Sequence, residues 1–272
     1  MGRCTRRHQR PVDLPRDRRA AAACRTLRSP SSLDLAPYEL KAFSQNGEDG
    51  VLDEILRRIG TETRTFVEIG AGSGDEGICV YLADVAGWAG TFMELSDVTF
   101  LALSAKYALN RRVMTVQTKI TPRNIEATLA QLGVPTALDV LSIDIDGHDY
   151  WVWEAVTAYR PRTVVIEYNA HLGVKPLTMP LDVDPAWDGS DYFGASIAAL
   201  RQLGDGKGYH LVHCDITGVN AFFVRDDLIR DHFPKPSDVV VRAPNFQLQG
   251  RRHPAGAGRW QDVGAPAAPG RA

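Results

Sequence analysis

The stretch that decides the fold is Phe66–Gly77, FVEIGAGSGDEG. An apolar run carrying one acid, Glu68, breaks into glycines at Gly70, Gly72, Gly74 and Gly77. A short apolar run bounded by glycine reads as a buried strand, and glycines beyond it let the backbone turn and approach a ligand closely. The last three glycines spell GxGxxG, the dinucleotide fingerprint, in which N–H groups opening the next helix meet a pyrophosphate. The acid two residues before the first glycine belongs to another pattern, E/DxGxGxG. A glutamate at the end of a buried strand is costly unless partnered. Glu68 therefore either serves a ligand or is satisfied by local backbone N–H groups.

Outward from this loop, short apolar runs alternate with helical patterns, the signature of a parallel sheet covered by helices. Strands are expected at Thr65–Ile69, Gly90–Glu94, Val113–Gln117, Leu138–Asp144 and Thr163–Tyr168. Helices are expected over Gly77–Gly87, Asp97–Leu109, Thr121–Leu132 and Asp149–Tyr159, the third opened by a Thr-Pro cap. An amphipathic stretch, Ser190–Leu203, precedes two final strands, Tyr209–Cys214 and Asn220–Val224. These lie too close for a helical crossover and should pair as an antiparallel hairpin. The fold class read from this order is α/β, a Rossmann-like class I methyltransferase fold. Its central, mostly parallel sheet has about seven strands, helices on both faces and a C-terminal antiparallel hairpin, where an NAD domain has six parallel strands.

Ahead of the first strand, Val51, Leu52, Ile55, Leu56 and Ile59 form one apolar helix face. The segment before it, SQNGEDG (Ser44–Gly50), is too polar and glycine-rich for a core. It reads as a loop folding over the mouth of the sheet, with Gln45 a candidate cofactor contact.

At 272 residues the chain holds one sizeable α/β domain. Its net charge of −2 hides an asymmetry: residues 1–30 carry nine Arg against two Asp, a net of +7, which leaves −9 elsewhere. Residues 1–32 are expected to be a disordered Arg-rich tail, 33–242 the folded domain, and 243–272 a loose Gly/Pro/Ala-rich tail. The acidic body argues against a nucleic-acid partner, and IDIDGHDY lacks the prolines of a base-methylating D/N-P-P-Y motif. No run approaches the roughly 20 apolar residues of a membrane span, and the N-terminus lacks a secretory h-region, so no membrane partner is expected. Four cysteines without CxxC fit reduced thiols and a cytoplasmic location. A homo-oligomer stays open.

Candidate site residues gather at the expected strand ends. Glu68, Gly70, Gly72 and Gly74 would hold the methionine part of a cofactor. Glu94, ending the second strand, can accept hydrogen bonds from both hydroxyls of a ribose, in either a dinucleotide or an adenosine. Asp144 and Asp146 bracket the end of the fourth strand, where ligands bind in open α/β sheets. Asp144 is a further cofactor candidate. Two such carboxylates repel unless a cation or proton intervenes. Magnesium would suit Asp146 with Glu167 and Asn169, the alternative being Asp144 on backbone and Asp146 capping a helix. His148, or His171 in EYNAH, could take a proton from a hydroxyl acceptor, His148 with Asp146 being the preferred catalytic pair. Trp151, Trp153 and Tyr168 are candidate acceptor-pocket walls. Asp182, Asp184, Trp187 and Asp191 lie in the long loop expected to set specificity.

With these residues assembled, the chain resembles the FkbM-like family of S-adenosylmethionine-dependent methyltransferases, in the branch with an SQNGEDG opening. The matching blocks are FSQNGEDGVLDEIL (Phe43–Leu56), FVEIGAGSG (Phe66–Gly74), ITPRNIEATL (Ile120–Leu129), LSIDIDGHDYWVWEAV (Leu141–Val156), VVIEYNA (Val164–Ala170) and GVNAFFVRDDL (Gly218–Leu228). The resemblance implies methyl transfer from S-adenosyl-L-methionine to a hydroxyl of a small-molecule acceptor, a sugar, glycoside or polyketide-type product of natural product biosynthesis. It gives Glu68, Gly70, Gly72 and Glu94 cofactor roles by position, and places Asp144 and Asp146 at the family's acidic site. The chain departs from the family at His148, commonly asparagine, and at Leu95-Ser96, commonly glycine-aspartate. An NAD-dependent oxidoreductase using Gly72, Gly74, Gly77 and Glu94 is the competing enzyme reading. A cofactor-binding domain without transfer activity is the non-enzymatic one.

Overall fold

A computed structural model of the chain describes residues 33–245 and 253–264. The chain runs through α1 (Glu48–Ile59), β1 (Thr65–Ile69), α2 (Val80–Asp84), β2 (Ala89–Glu94), α3 (Asp97–Tyr107), β3 (Val113–Gln117) and α4 (Ile125–Gln131). It continues through β4 (Val140–Ile143), α5 (Asp149–Ala155), β5 (Thr163–Glu167), β6 (Leu177–Thr178), α6 (Ile197–Lys207), β7 (Tyr209–Cys214), β8 (Asn220–Arg225), α7 (Asp226–Ile229) and β9 (Gln261–Asp262). Seven strands form one sheet in the order β3-β2-β1-β4-β5-β8-β7. The first five are parallel, while β8 is antiparallel to β5 and β7 to β8. The α/β class and the closing hairpin thus stand as read from the sequence. Strand order reverses between β1 and β4, which opens a crevice at their C-terminal ends.

Period-two alternation divides the core between the two faces of the sheet. Phe66, Phe92, Val140, Val165 and Phe222 pack with α1, α2 and α3, and Val67, Ile69, Leu141, Ile143 and Phe223 pack with α4, α5 and α6. On the first face the Phe66 and Phe92 rings lie 4.9 Å apart, and Phe92 stacks on Tyr107. On the second, Trp153 packs 4.8 Å from Phe223 and 6.0 Å from Tyr209, so it belongs to the core and not to an acceptor pocket.

Three helix starts differ from expectation because a side chain captures the backbone first, α2 beginning at Val80 and not Gly77 where Glu68 takes Ile78 N and Cys79 N. Asn124 Oδ1 accepts from Thr121 N and Thr121 Oγ1, which turns the chain there and delays α4 to Ile125. Ser196, not Ser190, opens α6, its hydroxyl accepting from Ala199 N at 3.1 Å.

Residues 1–32, with the expected Arg-rich tail, lie outside the described residues, as do 246–252 and 265–272. Part of the expected C-terminal tail is held in the structure: β9 pairs antiparallel with β6, matching Leu177 to Asp262 and Thr178 to Gln261. Cys79 and Cys214 are buried free thiols. Among the described residues, no helix is long and apolar enough to cross a membrane.

Candidate functional site

The glycine loop turns at the end of β1 and is tied to β2, with Gly70 N and Ala71 N both donating to Met93 O. Gly70 has φ +86, and a Cβ there would stand 1.6 Å from Asp144 O, so only glycine permits β1 and β4 to close at this point. Gly72 (φ +54) is different: a Cβ would meet nothing within 4 Å, because the residue faces open cavity. Gly74 turns away and packs on Leu103 and Tyr107 of α3, outside the cavity.

Glu68 is buried and does not reach the cavity. Its Oε1 accepts from Ile78 N at 2.9 Å and its Oε2 from Cys79 N at 2.8 Å. Burial raises its carboxyl from 4.5 to about 7, opposed by those two backbone bonds. The local-backbone alternative for Glu68 is therefore the one the structure adopts, and the direct contact with a methionine moiety is not. Gly77 supports it, since a Cβ there would lie 2.8 Å from Glu68 Oε1. The consequence bears on the dinucleotide reading: the N–H groups just ahead of α2, which a pyrophosphate would need, are taken by the chain's own carboxylate.

The SQNGEDG segment folds over the mouth of the sheet as expected. Asp49 Oδ2 accepts from Ala42 N, Phe43 N, Ser44 N and Ser44 Oγ at 2.7–2.9 Å. Glu48 takes Asn46 N and Asn46 Nδ2 and reaches Asn220 Nδ2 on β8 at 2.9 Å. These acids fix the loop that brings Gln45 to the cavity wall. Across the cavity, Glu94 Oε2 accepts from Gly72 N at 2.8 Å and Oε1 from Ser96 N at 2.7 Å. Each oxygen keeps a lone pair for a ligand hydroxyl.

The cavity has a volume of about 740 Å³, and Gly70, Gly72 and Glu94 are among its lining residues. Beside Gly70, on the neighbouring strand ends, Asp144, Asp146 and Glu167 each offer a carboxylate oxygen, all within 4.8 Å of one another. No described residue donates a hydrogen bond to any of the three, and Glu167 Oε2 is buried without a partner. Burial, then the neighbouring carboxylates, push Asp144 and Glu167 well above the usual range. Burial also raises Asp146, with His253 opposing it. Asp146 has φ +56, a conformation rare outside glycine. The helix-capping role considered for it is not taken up, since no side chain caps this helix; Asp149 at its first position instead ties the preceding loop, accepting from Ile145 N and Gly147 N.

Asn169, expected beside Asp146 and Glu167, is not part of this cluster. Its amide donates to Asp191 O and Phe193 O, and its Oδ1 accepts from His171 N, so every polar atom is spent on loop structure. Asp144 takes its place. His148 lines the cavity, with Nε2 3.1 Å from Pro180 O; burial lowers its pKa. Trp151 similarly anchors the loop, donating to Met179 O at 2.7 Å. Of the three aromatics expected at the acceptor end, Tyr168 lines the cavity; Trp187, from the specificity loop, does too. Phe193 and His253 complete this wall. His253 was missed because its Gly/Pro/Ala surroundings read as loose; the glycine spacing beyond it was the available signal.

No family model matches the chain, and no curated protein matches it. Among solved structures it is similar to a candidate O-methyltransferase of Klebsiella pneumoniae, at 15% identity and a TM-score of 0.42, over 75% of this chain and 95% of that one. It is also similar to an Aeropyrum pernix fibrillarin with natively bound S-adenosyl-L-methionine, at 14% identity and a TM-score of 0.43, over 70% and 86% of the two chains. A third is a glycopeptide N-methyltransferase complexed with S-adenosyl-L-methionine, at 16% identity and a TM-score of 0.37, over 68% and 91%.

Proposed function

We propose that the chain is an S-adenosylmethionine-dependent methyltransferase acting on a hydroxyl of a small polar acceptor, a sugar, glycoside or polyketide-type product. The observation that carries this reading is the use of Glu68 to fill the helix start beyond the glycine loop, which removes the pyrophosphate site while leaving Gly72 and Glu94 facing the cavity. The open Gly72 Cα admits a ligand backbone or sugar edge at close range, and the free lone pairs of Glu94 suit a ribose diol. Held by Gly72 and Glu94, the cofactor would supply an electrophilic methyl carbon on a sulfonium.

The chain's own contribution is alignment and proton removal. Asp146, partly exposed at the cavity, is assigned the acceptor's proton. His148, with one ring nitrogen committed to Pro180 O, holds the loop that shapes this end. Magnesium enters the same reading as a hard cation accepting oxygens from Asp144, Asp146 and Glu167 in place of the set with Asn169.

Calorimetric titration with S-adenosylhomocysteine and with NAD tests the assignment. Binding of the former is expected, and binding of NAD alone would overturn it. Activity undiminished by EDTA would remove the magnesium.

A further inference from the structure

Residues 253–264 are held closely against the loop of residues 176–192, and His253 at their start lines the cavity. Asp191 N donates to Pro254 O at 2.9 Å, and Gly256 N returns a bond to Asp191 Oδ1. Tyr192 Oη donates to Arg259 O at 2.7 Å, Arg259 pairs with Asp182, and Val263 N donates to Pro176 O at 2.9 Å. Three glycines stand where a side chain would not fit. A Cβ at Gly256 would lie 2.4 Å from Tyr192 Cβ, at Gly258 1.9 Å from the Tyr192 ring, and at Gly264 2.4 Å from the Pro176 ring. Such spacing is what a segment needs to lie flat on a surface, and composition alone reads it as looseness.

His253 opens this strap. Its ring centroid is 5.1 Å from Trp187, 5.8 Å from Phe193 and 6.3 Å from His171. It lines the same cavity as Asp146 and Glu167. We propose that the strap is the outer wall of the acceptor site and that His253 is an acceptor-contacting residue, presenting its imidazole edge opposite Asp146. Trp187, Phe193 and Tyr168 then supply apolar faces, and His253 and the carboxylates the polar groups that orient a hydroxylated ring. This inference deepens the function proposed above and rests on it for naming this the acceptor end.

The test uses the full-length chain carrying His253→Cys, with Asp205→Cys on the exposed side of α6 as the reference thiol and modification mapped by peptide mass spectrometry. With methyl methanethiosulfonate, the His253→Cys thiol is expected to react about tenfold more slowly than the reference, because access to it is restricted. Saturating sinefungin should slow it further. Adding Gly258→Leu, which drives a side chain into the Tyr192 ring, should release the strap, bring the rate to that of the reference and abolish the sinefungin effect. Rates equal to the reference in the parent strap would overturn the proposal, as would slow labelling that neither sinefungin nor Gly258→Leu changes. Sinefungin binding is measured separately by calorimetry. Its failure would count against the methyltransferase reading, while the Gly258→Leu comparison still decides whether the strap walls the cavity.

Discussion

Replacing Glu167 with glutamine perturbs the carboxylate cluster at its most buried member. Two unit charges 4.8 Å apart repel by about 3.5 kcal/mol at an effective dielectric constant of about 20. Glu167 belongs to two of the three pairs, so full ionisation would route about 7 kcal/mol through this residue. The folded chain escapes part of that by retaining protons, which is why Asp144 and Glu167 stand well above the usual carboxylate range. The sign follows from proton counting. Between the ordinary carboxylate values and the raised ones, the folded state holds protons that the unfolded chain has released, so stability falls as pH rises through that window. Glu68, raised from 4.5 to about 7, and Asp149, raised from 3.8 to about 6, act in the same direction and remain in the variant. Glutamine carries no charge and can donate to Asp144. At pH 5 Glu167→Gln should therefore match the parent within about 1 kcal/mol, and at pH 8 exceed it by about 2–4 kcal/mol. Urea unfolding at the two pH values measures this, and magnesium should stabilise the parent at pH 8 while leaving the variant unmoved. A variant that is destabilised equally at both pH values would refute the reasoning, since Glu167 would then be held by partners and not strained by neighbours.

The remaining predictions concern the loop and its acids. Gly70→Ala forces a Cβ into Asp144 O and should cost more than about 3 kcal/mol in thermal unfolding. Gly72→Ala, facing open space, should cost only about 1–2 kcal/mol of stability yet weaken S-adenosylhomocysteine binding about tenfold by calorimetry. Glu94→Ala should lower that affinity about 10- to 100-fold, as hydrogen bonds to a charged acceptor are lost. Glu68→Gln gives up one backbone N–H bond at a cost of about 1–3 kcal/mol. That deficit should shrink from pH 5 to pH 8, because the parent alone carries a buried charge above about 7; an unchanged deficit would count against the raised carboxyl.

What the sequence disclosed and what it withheld divide along a physical line. All seven strands of the main sheet and their directions were legible, because the buried central strands are nearly continuously apolar and the five-residue gap between Cys214 and Asn220 cannot hold a crossover. Helix starts at Ile125 and Ile197 were misplaced where Asn124 and Ser196 captured the backbone, a competition that periodicity does not encode. Glu94, Gln45, Asp144, Asp146 and Glu167 all reach the cavity, since their positions at strand and helix ends follow from topology alone. Asn169 sits at an equally suitable strand end, yet its amide is consumed by Asp191 and Phe193 more than 20 residues away in sequence. No local pattern reports that kind of contact. The same distance effect hid His253, brought to the site by a strap whose glycines composition reads as slack.

The buried acids fall into two classes, and the division separates scaffold from site. Asp49, Asp139, Asp215, Glu68 and Asp149 each accept backbone N–H groups from loops that have no ladder to satisfy them. Asp139 takes Glu62, Thr63 and Arg64, and Asp215 takes Thr217, Gly218, Val219 and Asn220. In each case desolvating a carboxylate is offset by amides that would otherwise be orphaned, so folding alone explains the residue. Glu167 is buried and Asp144 and Asp146 are partly so, and none of the three accepts a hydrogen bond from any described residue. Folding gives no return for placing them together; apolar residues of similar size would hold the sheet better. Their compensation has to come from a proton, a cation or a donor on a bound molecule, and each of those is chemistry at the cavity wall. Glu94 joins the two classes, securing Gly72 N and Ser96 N while keeping lone pairs toward the cavity. The residue that shapes the cofactor end is thus also one that can contact its ligand, whereas Glu68, the acid that first marked the loop, works wholly behind it.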